Sequence, residues 1–331
     1  MTDIGFLIRK KRKIISNPFL ETVTQNLNFA DPLKSTAELY LYGMRKFLFF
    51  TFVFQACVFV TAQSPSLQVM TFNIRFANKG DGVHDWDHRR PLVSSMIRFH
   101  QVDLLGVQEA LRSQLDDMVA NMPEYDWFGV CRTDGSTHPN PDGEFSAILY
   151  RKDRFEKLDG NTFWLSPTPD KVGSVGWDAA LPRIVTWAKF KDKQNGTIFY
   201  HFNTHFDHMG VQARAESAKL ILKKIKEIAG YTKVVLTGDF NCGETEAPFK
   251  NITDTTAPFH LTDAMAISKI PHHGPMATFA GTFQISGLID HRIDYLFVSM
   301  SIEVLRHAVL SDNWNGDLAS DHLPVLAEVR M

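Results

Sequence analysis

Residues 198–241 read IFYHFNTHFDHMGVQARAESAKLILKKIKEIAGYTKVVLTGDFN. Ile198, Tyr200, Phe202, Thr204 and Phe206 alternate with His201, Asn203, His205 and Asp207, the period-two pattern of a strand with two distinct faces. From Val211 to Ala229 the period changes: Ala218, Leu222, Ile225 and Ala229 form one helical stripe, and Gly230 follows where a left-handed cap residue belongs. Val234 to Leu236 is then a short apolar run leading into Gly238-Asp239. Strand, helix and buried strand in this order are a crossover unit, and a crossover unit calls for a sheet with helices packed on its outer face.

The same grammar recurs toward the amino end. Leu67 to Phe72 reads as a strand. Leu92, Val93, Met96, Ile97 and His100 fall at helical spacing, and Val102 to Val107 is a second strand. Leu111, Leu115, Met118, Val119 and Met122 mark a further helix, and Phe145 to Tyr150 and Ile184 to Phe190 read as strands. Ile293 to Val298 and Pro324 to Val329 close the chain as strands. The expectation is an α/β fold. At 331 residues and 44% apolar composition it can bury a large core without staples, and no 20–50-residue repeat suggests a solenoid.

The amino terminus is separate. Met44-Arg45-Lys46 precedes an apolar run from Phe47 to Ala62 that exits through Val60-Thr61-Ala62. A basic start, an apolar middle and a small-residue exit describe a secretory signal peptide over 44–62. On that reading 1–43 is upstream sequence, 63–331 is one domain, and the mature protein is periplasmic or extracellular with no membrane span. The alternatives are a cytoplasmic tail before a signal anchor, for which the apolar run is short, and a lipid on Cys57, whose flanking Phe54-Gln55-Ala56 is a poor lipobox. Residues 1–62 hold eight of the 35 Lys/Arg and four of the 37 Asp/Glu, which leaves 27 and 33 and a formal charge of −6 for 63–331. Such a surface does not hold long duplex nucleic acid through phosphates. A disulfide between Cys131 and Cys242 is left open, and Asn195 and Asn251 are glycosylation acceptors only in a eukaryotic source.

Short polar strings lie at or beside these strand-like runs: Thr71-Phe72-Asn73, Gln108-Glu109, Asn203-Thr204-His205, Gly238-Asp239-Phe240-Asn241, Ile293-Asp294-Tyr295 and Ser320-Asp321-His322. Taken singly, Glu109 reads as a helix-start charge and Asn73 as a turn residue. Asp239 and Asn241 alternate onto one face, and Asp294 is placed to orient His322. A zinc site at His205, Asp207 and His208 is the rival reading, but His205 and His208 have no third partner at a familiar spacing. Strand ends can bring such groups to one point, where oxygen ligands suit a hard divalent cation and a phosphate ester.

In their joint order the strings resemble the endonuclease/exonuclease/phosphatase (DNase I-like) superfamily from about Leu67 to Val329, and Asp85-Trp86-Asp87-His88-Arg89-Arg90 is similar to the Trp-x-x-Arg region of its CCR4-like branch. The resemblance implies a four-layer α/β sandwich, two mixed sheets face to face with helices outside. It implies an enzyme that hydrolyses phosphoesters with Mg²⁺, or Mn²⁺ in its place. Asn73, Glu109 and Asp321 would form the metal site; Asp239 and Asn241 would align the attacking water. His205 would pair with Glu144, His322 with Asp294, and the base or electrophile role of each histidine stays open. Arg183 and Asn203 would face the phosphate or substrate. Trp164 and Trp177, in an aromatic-bearing insert, would wall the cleft, or merely pack in a loop. A nuclease or exonuclease is the leading expectation. A sphingomyelinase-like or sugar or inositol phosphate phosphoesterase is the alternative, and a non-catalytic extracellular binding module the reading from another class. A monomer is expected.

Overall fold

The computed structural model describes residues 65–138, 143–285 and 292–331, together with three helical residues, Gly43, Met44 and Lys46. Apart from those three, the expected leader and the segment before it lie outside the described residues. No helix among the described residues is long and apolar enough to cross a membrane.

Two six-stranded mixed sheets carry the fold. The first runs β13 (Glu303–Val309), β16 (Val325–Arg330), β1 (Ser66–Asn73), β2 (Leu104–Gln108), β6 (Ile148–Arg151), β4 (Tyr125–Phe128). The second runs β11 (Thr262–Asp263), β12 (Asp294–Val298), β10 (Lys233–Asp239), β9 (Ile198–His205), β8 (Ile184–Asp192), β7 (Phe155–Trp164). Two minor ladders are β3 (Ala110–Leu111) with β5 (Glu144–Phe145), and β14 (Asn313–Trp314) with β15 (Asp317–Leu318). Each large sheet has one parallel pair near its middle, β1 with β2 and β9 with β10, and each pair is joined through a helix as a parallel crossover requires. Between β1 and β2 it is α1 (Trp86–Phe99), and between β9 and β10 it is α3 (Val211–Ala229).

Three apolar layers follow. Val69, Leu104, Phe190, Val235, Leu296 and Val325 meet between the sheets. Met70, Leu105 and Val107 turn outward onto Val93 and Ile97 of α1 and onto Leu115 and Met118 of α2 (Arg112–Asn121). Phe202, Leu236 and Phe297 turn outward onto Ala218, Ile221 and Ile225 of α3 and Ile252 of α4 (Ala247–Thr253). Helix, sheet, sheet and helix make the expected four-layer sandwich. Cys131 packs in the layer outside the first sheet and Cys242 in the layer outside the second, so both sheets separate them.

Several expectations need correcting. The run Phe145 to Tyr150 is two strands, because Phe145 pairs with Ala110 while Ile148 to Tyr150 pair with β2. Phe163 and Trp164 belong to β7, an edge strand, rather than to a loop insert. β4, β7 and β13 lacked a strand signal: β4 and β7 alternate poorly in burial, as in the exposed middle of β7 from Glu156 to Asp159, and a bulge between Val304 and Arg306 breaks the period of β13.

Toward the site the inter-sheet layer turns polar. Asn203 donates through Nδ2 to the carbonyls of Val107 and Ala147, both 2.9 Å away in the opposite sheet region. Its Oδ1 accepts from Gln108 Nε2 at 2.7 Å and Thr237 Oγ1 at 2.9 Å. Gly106 lets the sheets close to this distance: a methyl there would lie 2.6 Å from Asn203 Cγ and nearer still to Thr237 Oγ1.

Candidate active site

Strand register explains why groups distant in sequence meet. In the first sheet Asn73 pairs with Gln108, so both parallel strands end together and Glu109 follows at the same edge. In the second, Asp239 pairs with His205 on one side and Asp294 on the other. β16 runs antiparallel to β1, which brings Ser320-Asp321-His322, just before it, to the same edge. Glu109 and Asn241 hold φ of 60° and 47°, left-handed conformations that cost about 1–3 kcal/mol each outside glycine and collect at functional sites.

Asn73 is fully buried and ties the sheets together across this edge. Its Nδ2 lies 3.1 Å from Glu109 Oε1, 3.0 Å from Asp239 Oδ2 and 3.4 Å from His322 Nε2. Its Oδ1 accepts the Arg75 amide at 3.1 Å, so the side chain presents a donor to the carboxylates and holds them in place. Asp294 Oδ2 sits 2.9 Å from His322 Nδ1, and both side chains are buried. Burial alone would keep this imidazole neutral, but Asp294, Asp239 and Asp321 outweigh it and raise its pKa to about 10. Burial, reinforced by Asp294, pushes the Asp239 carboxyl upward in turn. The Phe279 ring lies 4.8 Å from the His322 ring.

His205 is placed differently from expectation. Its Nε2 is 3.1 Å from Asn241 Nδ2 and 3.5 Å from Asp239 Oδ2, and its Nδ1 has no hydrogen-bond partner among the described residues. Glu144 does not pair with it. Both Glu144 oxygens accept from the Arg132 guanidinium, at 2.7 and 2.8 Å. The backbone sets this choice, since the Arg132 amide donates to the Glu144 carbonyl and brings the two side chains alongside. A planar fork matches a carboxylate better than a neutral ring does. Burial, then the cations Arg183 and Arg132, hold His205 well below its ordinary pKa, as a neutral imidazole.

Arg183 reaches Asp207 Oδ2 at 3.4 Å and His208 Nδ1 at 3.1 Å, while its buried Nη1 has no hydrogen-bond partner among the described residues. Burial lowers its pKa. Asp207 accepts the amides of Ala180, Leu181, Met209 and Gly210; burial would raise its pKa, but the Gly210, Ala180 and Met209 amides and the Arg183 charge outweigh it and bring it to about 2. Its oxygens are thus spent on the backbone, against the zinc reading.

Three expected substrate contacts are corrected. Asn203 has no exposed surface and all its contacts are within the protein. Trp164 is buried, and its Nε1 donates to the Arg132 carbonyl at 2.7 Å, so it props Arg132 from behind. Trp177 is half-buried and does not line the cleft; its neighbour Asp178 accepts the Ala213 and Gln212 amides at the start of α3. The cleft, about 290 Å³, has Glu109, Asp239, Asp321 and His322 on one side and Arg132, Glu144, Arg183 and His208 on the other. Arg132, Phe279 and Arg75 escaped sequence reasoning because no spacing or strand end marks them. A larger cavity, about 730 Å³ beside His100, His272 and His307, contains none of these groups.

The donor set fits a hard cation. Glu109 and Asp321 both line the cleft; burial, with Glu109 adding to it and His322 and Arg75 opposing it, raises the Asp321 pKa. Asp239, Asp294 and His322 form a second, buried group of ligand-type atoms within 4.8 Å of one another.

The sequence matches the endonuclease/exonuclease/phosphatase family over residues 70–322. A solved endonuclease/exonuclease/phosphatase of Bacteroides vulgatus is 41% identical, covers 81% of this chain and 99% of its own, and superposes with a TM-score of 0.75. A mannosyl-6-phosphatase of Bacteroides thetaiotaomicron is 38% identical over 80% of this chain and 100% of its own, with a TM-score of 0.74. The human Nocturnin catalytic domain shares the fold at 19% identity, 81% and 94% coverage and a TM-score of 0.62.

Proposed function

The chain belongs to the endonuclease/exonuclease/phosphatase family and is a metal-dependent phosphoester hydrolase, and we propose that its substrate is a small sugar phosphate cleaved as a monoester. The observation that carries this reading is the wall opposite the acidic side of the cleft. There Arg132 and Glu144 form a bidentate pair, with Arg183 and His208 beside them. Paired donors and acceptors suit vicinal hydroxyls. A nucleobase would gain about 1–3 kcal/mol from a flat aromatic platform, and the tryptophans expected to supply one are turned elsewhere. A cleft near 300 Å³ is at the small end for ligand sites and matches a phosphate and one ring. The likeness to a mannosyl-6-phosphatase along that protein's whole length supports the same reading. For these reasons we prefer it to the nuclease reading.

In this reading Glu109 and Asp321 hold Mg²⁺, with Asn73 fixing Glu109. The bound cation supplies positive charge against a phosphate oxygen and against the charge that develops on in-line attack. Asp239, with Asn241 beside it, orients the attacking water. His322, kept cationic by Asp294, donates to a phosphoryl oxygen. Neutral His205 hydrogen-bonds on the leaving-group side. The leader reading of 44–62 places the enzyme outside the cytoplasm; an exported form beginning near Gln63 is the expected result of amino-terminal sequencing, and a cytoplasmic form retaining 1–62 refutes it.

The test measures in parallel, with Mg²⁺ and with chelator, phosphate release from hexose 6-phosphates, inositol phosphates and nucleotides, chain cleavage of single-stranded RNA and DNA, and phosphocholine release from sphingomyelin. A hexose phosphate preferred by kcat/KM supports the reading. Preference for polynucleotide or sphingomyelin overturns it.

A further inference from the structure

The Trp-x-x-Arg string has no place in the chemistry above, yet its arginine is among the largest side chains to be almost wholly buried. Arg89, on the second turn of α1, is 1% exposed. Among the described residues no carboxylate pairs with it; every hydrogen bond it makes goes to a backbone carbonyl. Nε donates to His84 at 2.7 Å, Nη1 to Ile74 at 2.6 Å and Ala319 at 3.1 Å, and Nη2 to Arg75 at 3.1 Å. Trp86 and Phe283 flank the guanidinium at 5.6 and 5.1 Å. A buried charge without a counter-ion is costly, and the carbonyls it serves identify what it is for.

Ile74 and Arg75 directly follow Asn73 at the end of β1. The next residue, Phe76, donates its amide to Glu109 Oε2 at 3.3 Å. Ala319 stands two residues before Asp321, and the intervening Ser320 donates to the Asn73 carbonyl at 2.7 Å. One planar group therefore joins the turn that braces Glu109 to the turn that bears Asp321. Its charge also sits in the field of Asp321 and Glu109.

We propose that Arg89 is a positioning residue for the cation pocket, a guanidinium clamp that sets the spacing of Glu109 and Asp321 by holding the turns after β1 and before β16. The proposal rests on the reading of those two carboxylates as cation ligands. A lysine offers its donors from a single point and cannot span four carbonyls in a plane.

Mn²⁺ binding to the purified full-length protein, read by electron paramagnetic resonance of the free ion, tests this without turnover. Arg89→Lys should weaken Mn²⁺ affinity by about 10–100-fold, the usual loss when a residue behind the ligands is changed. At saturating Mn²⁺ its KM for substrate should stay at the wild-type value. Glu109→Gln, run beside it, should abolish binding. If Glu109→Gln binds as wild type, the ligand reading fails and the clamp with it. If Glu109→Gln loses Mn²⁺ while Arg89→Lys shows only a lower Tm, the ligand reading stands and the clamp is overturned. Should Arg89→Lys not fold, Ser320→Ala removes the parallel link between the same turns; weakened Mn²⁺ binding supports the proposal, and unchanged binding refutes it.

Discussion

Replacing Asp294 by Asn separates charge from orientation at His322. The carboxamide oxygen can still accept from Nδ1, so the ring keeps its direction, but the negative charge 2.9 Å away is gone. Coulomb's law at that distance with an effective dielectric near 20 gives about 6 kcal/mol. Burial of both partners offsets part of this, and removing one member of such a pair costs about 3–5 kcal/mol in practice. At about 2–4 °C per kcal/mol for a domain of this size, Tm should fall by roughly 6–20 °C. The loss depends on pH in a defined direction. The His322 pKa is raised above its unfolded value of about 6.5, so its stabilisation is complete below that pH and disappears as pH rises through about 10. The gap in Tm between wild type and Asp294→Asn, measured with chelator present, should be widest below pH 6.5 and close toward pH 10. In turnover the neutral ring should cost about 10²–10⁴ in kcat. A Tm gap that is flat with pH, or a kcat within threefold of wild type, would refute the ion-pair reasoning.

Other perturbations probe the opposite wall and the frame. Glu144→Gln breaks the fork with Arg132 and should raise KM for a sugar phosphate about tenfold, the scale of one charge-assisted hydrogen bond, while hydrolysis of the monoester p-nitrophenyl phosphate stays unchanged; steady-state kinetics on both substrates decides. Gly106→Ala puts a methyl against Asn203 and Thr237 between the sheets and should cost about 1–3 kcal/mol or more, read by urea unfolding. Trp164→Phe removes the bond to the Arg132 carbonyl and should cost about 1 kcal/mol of stability. It should also leave the discrimination between nucleotide and sugar phosphate unaltered, whereas a selective loss for nucleotides would restore the stacking role.

Much of this protein was legible in its sequence. The period-two run at 198–206, the helical stripe at 211–229 with Gly230 behind it, and the matching unit before Val107 depend on local backbone geometry, and the structure has β9, α3 and β2 where they predict them. The polar strings at strand ends are each ordinary, as a turn Asn or a helix-start Glu is; what made them legible was their joint order along the chain. Element type and an α/β fold follow from local signals; the four-layer sandwich and the chemistry follow from the family resemblance that the joint order of the strings carries.

Pairing across the sheets was decided only in three dimensions. Glu144 bonds Arg132 and not His205 because the Cys131–Phe145 bridge and the Arg132 amide's bond to the Glu144 carbonyl bring the 131–132 turn alongside, a contact that no spacing encodes. Asn203 looks like a substrate ligand in one strand, but the opposite sheet supplies every partner its amide needs. Trp164 points at a carbonyl rather than at the cleft, and Arg89 finds its four carbonyls in three segments of the chain. A side chain's face is a property of its own strand. Its partner depends on which strand packs opposite and how closely, which is set by the closure of the whole sandwich around residues as small as Gly106.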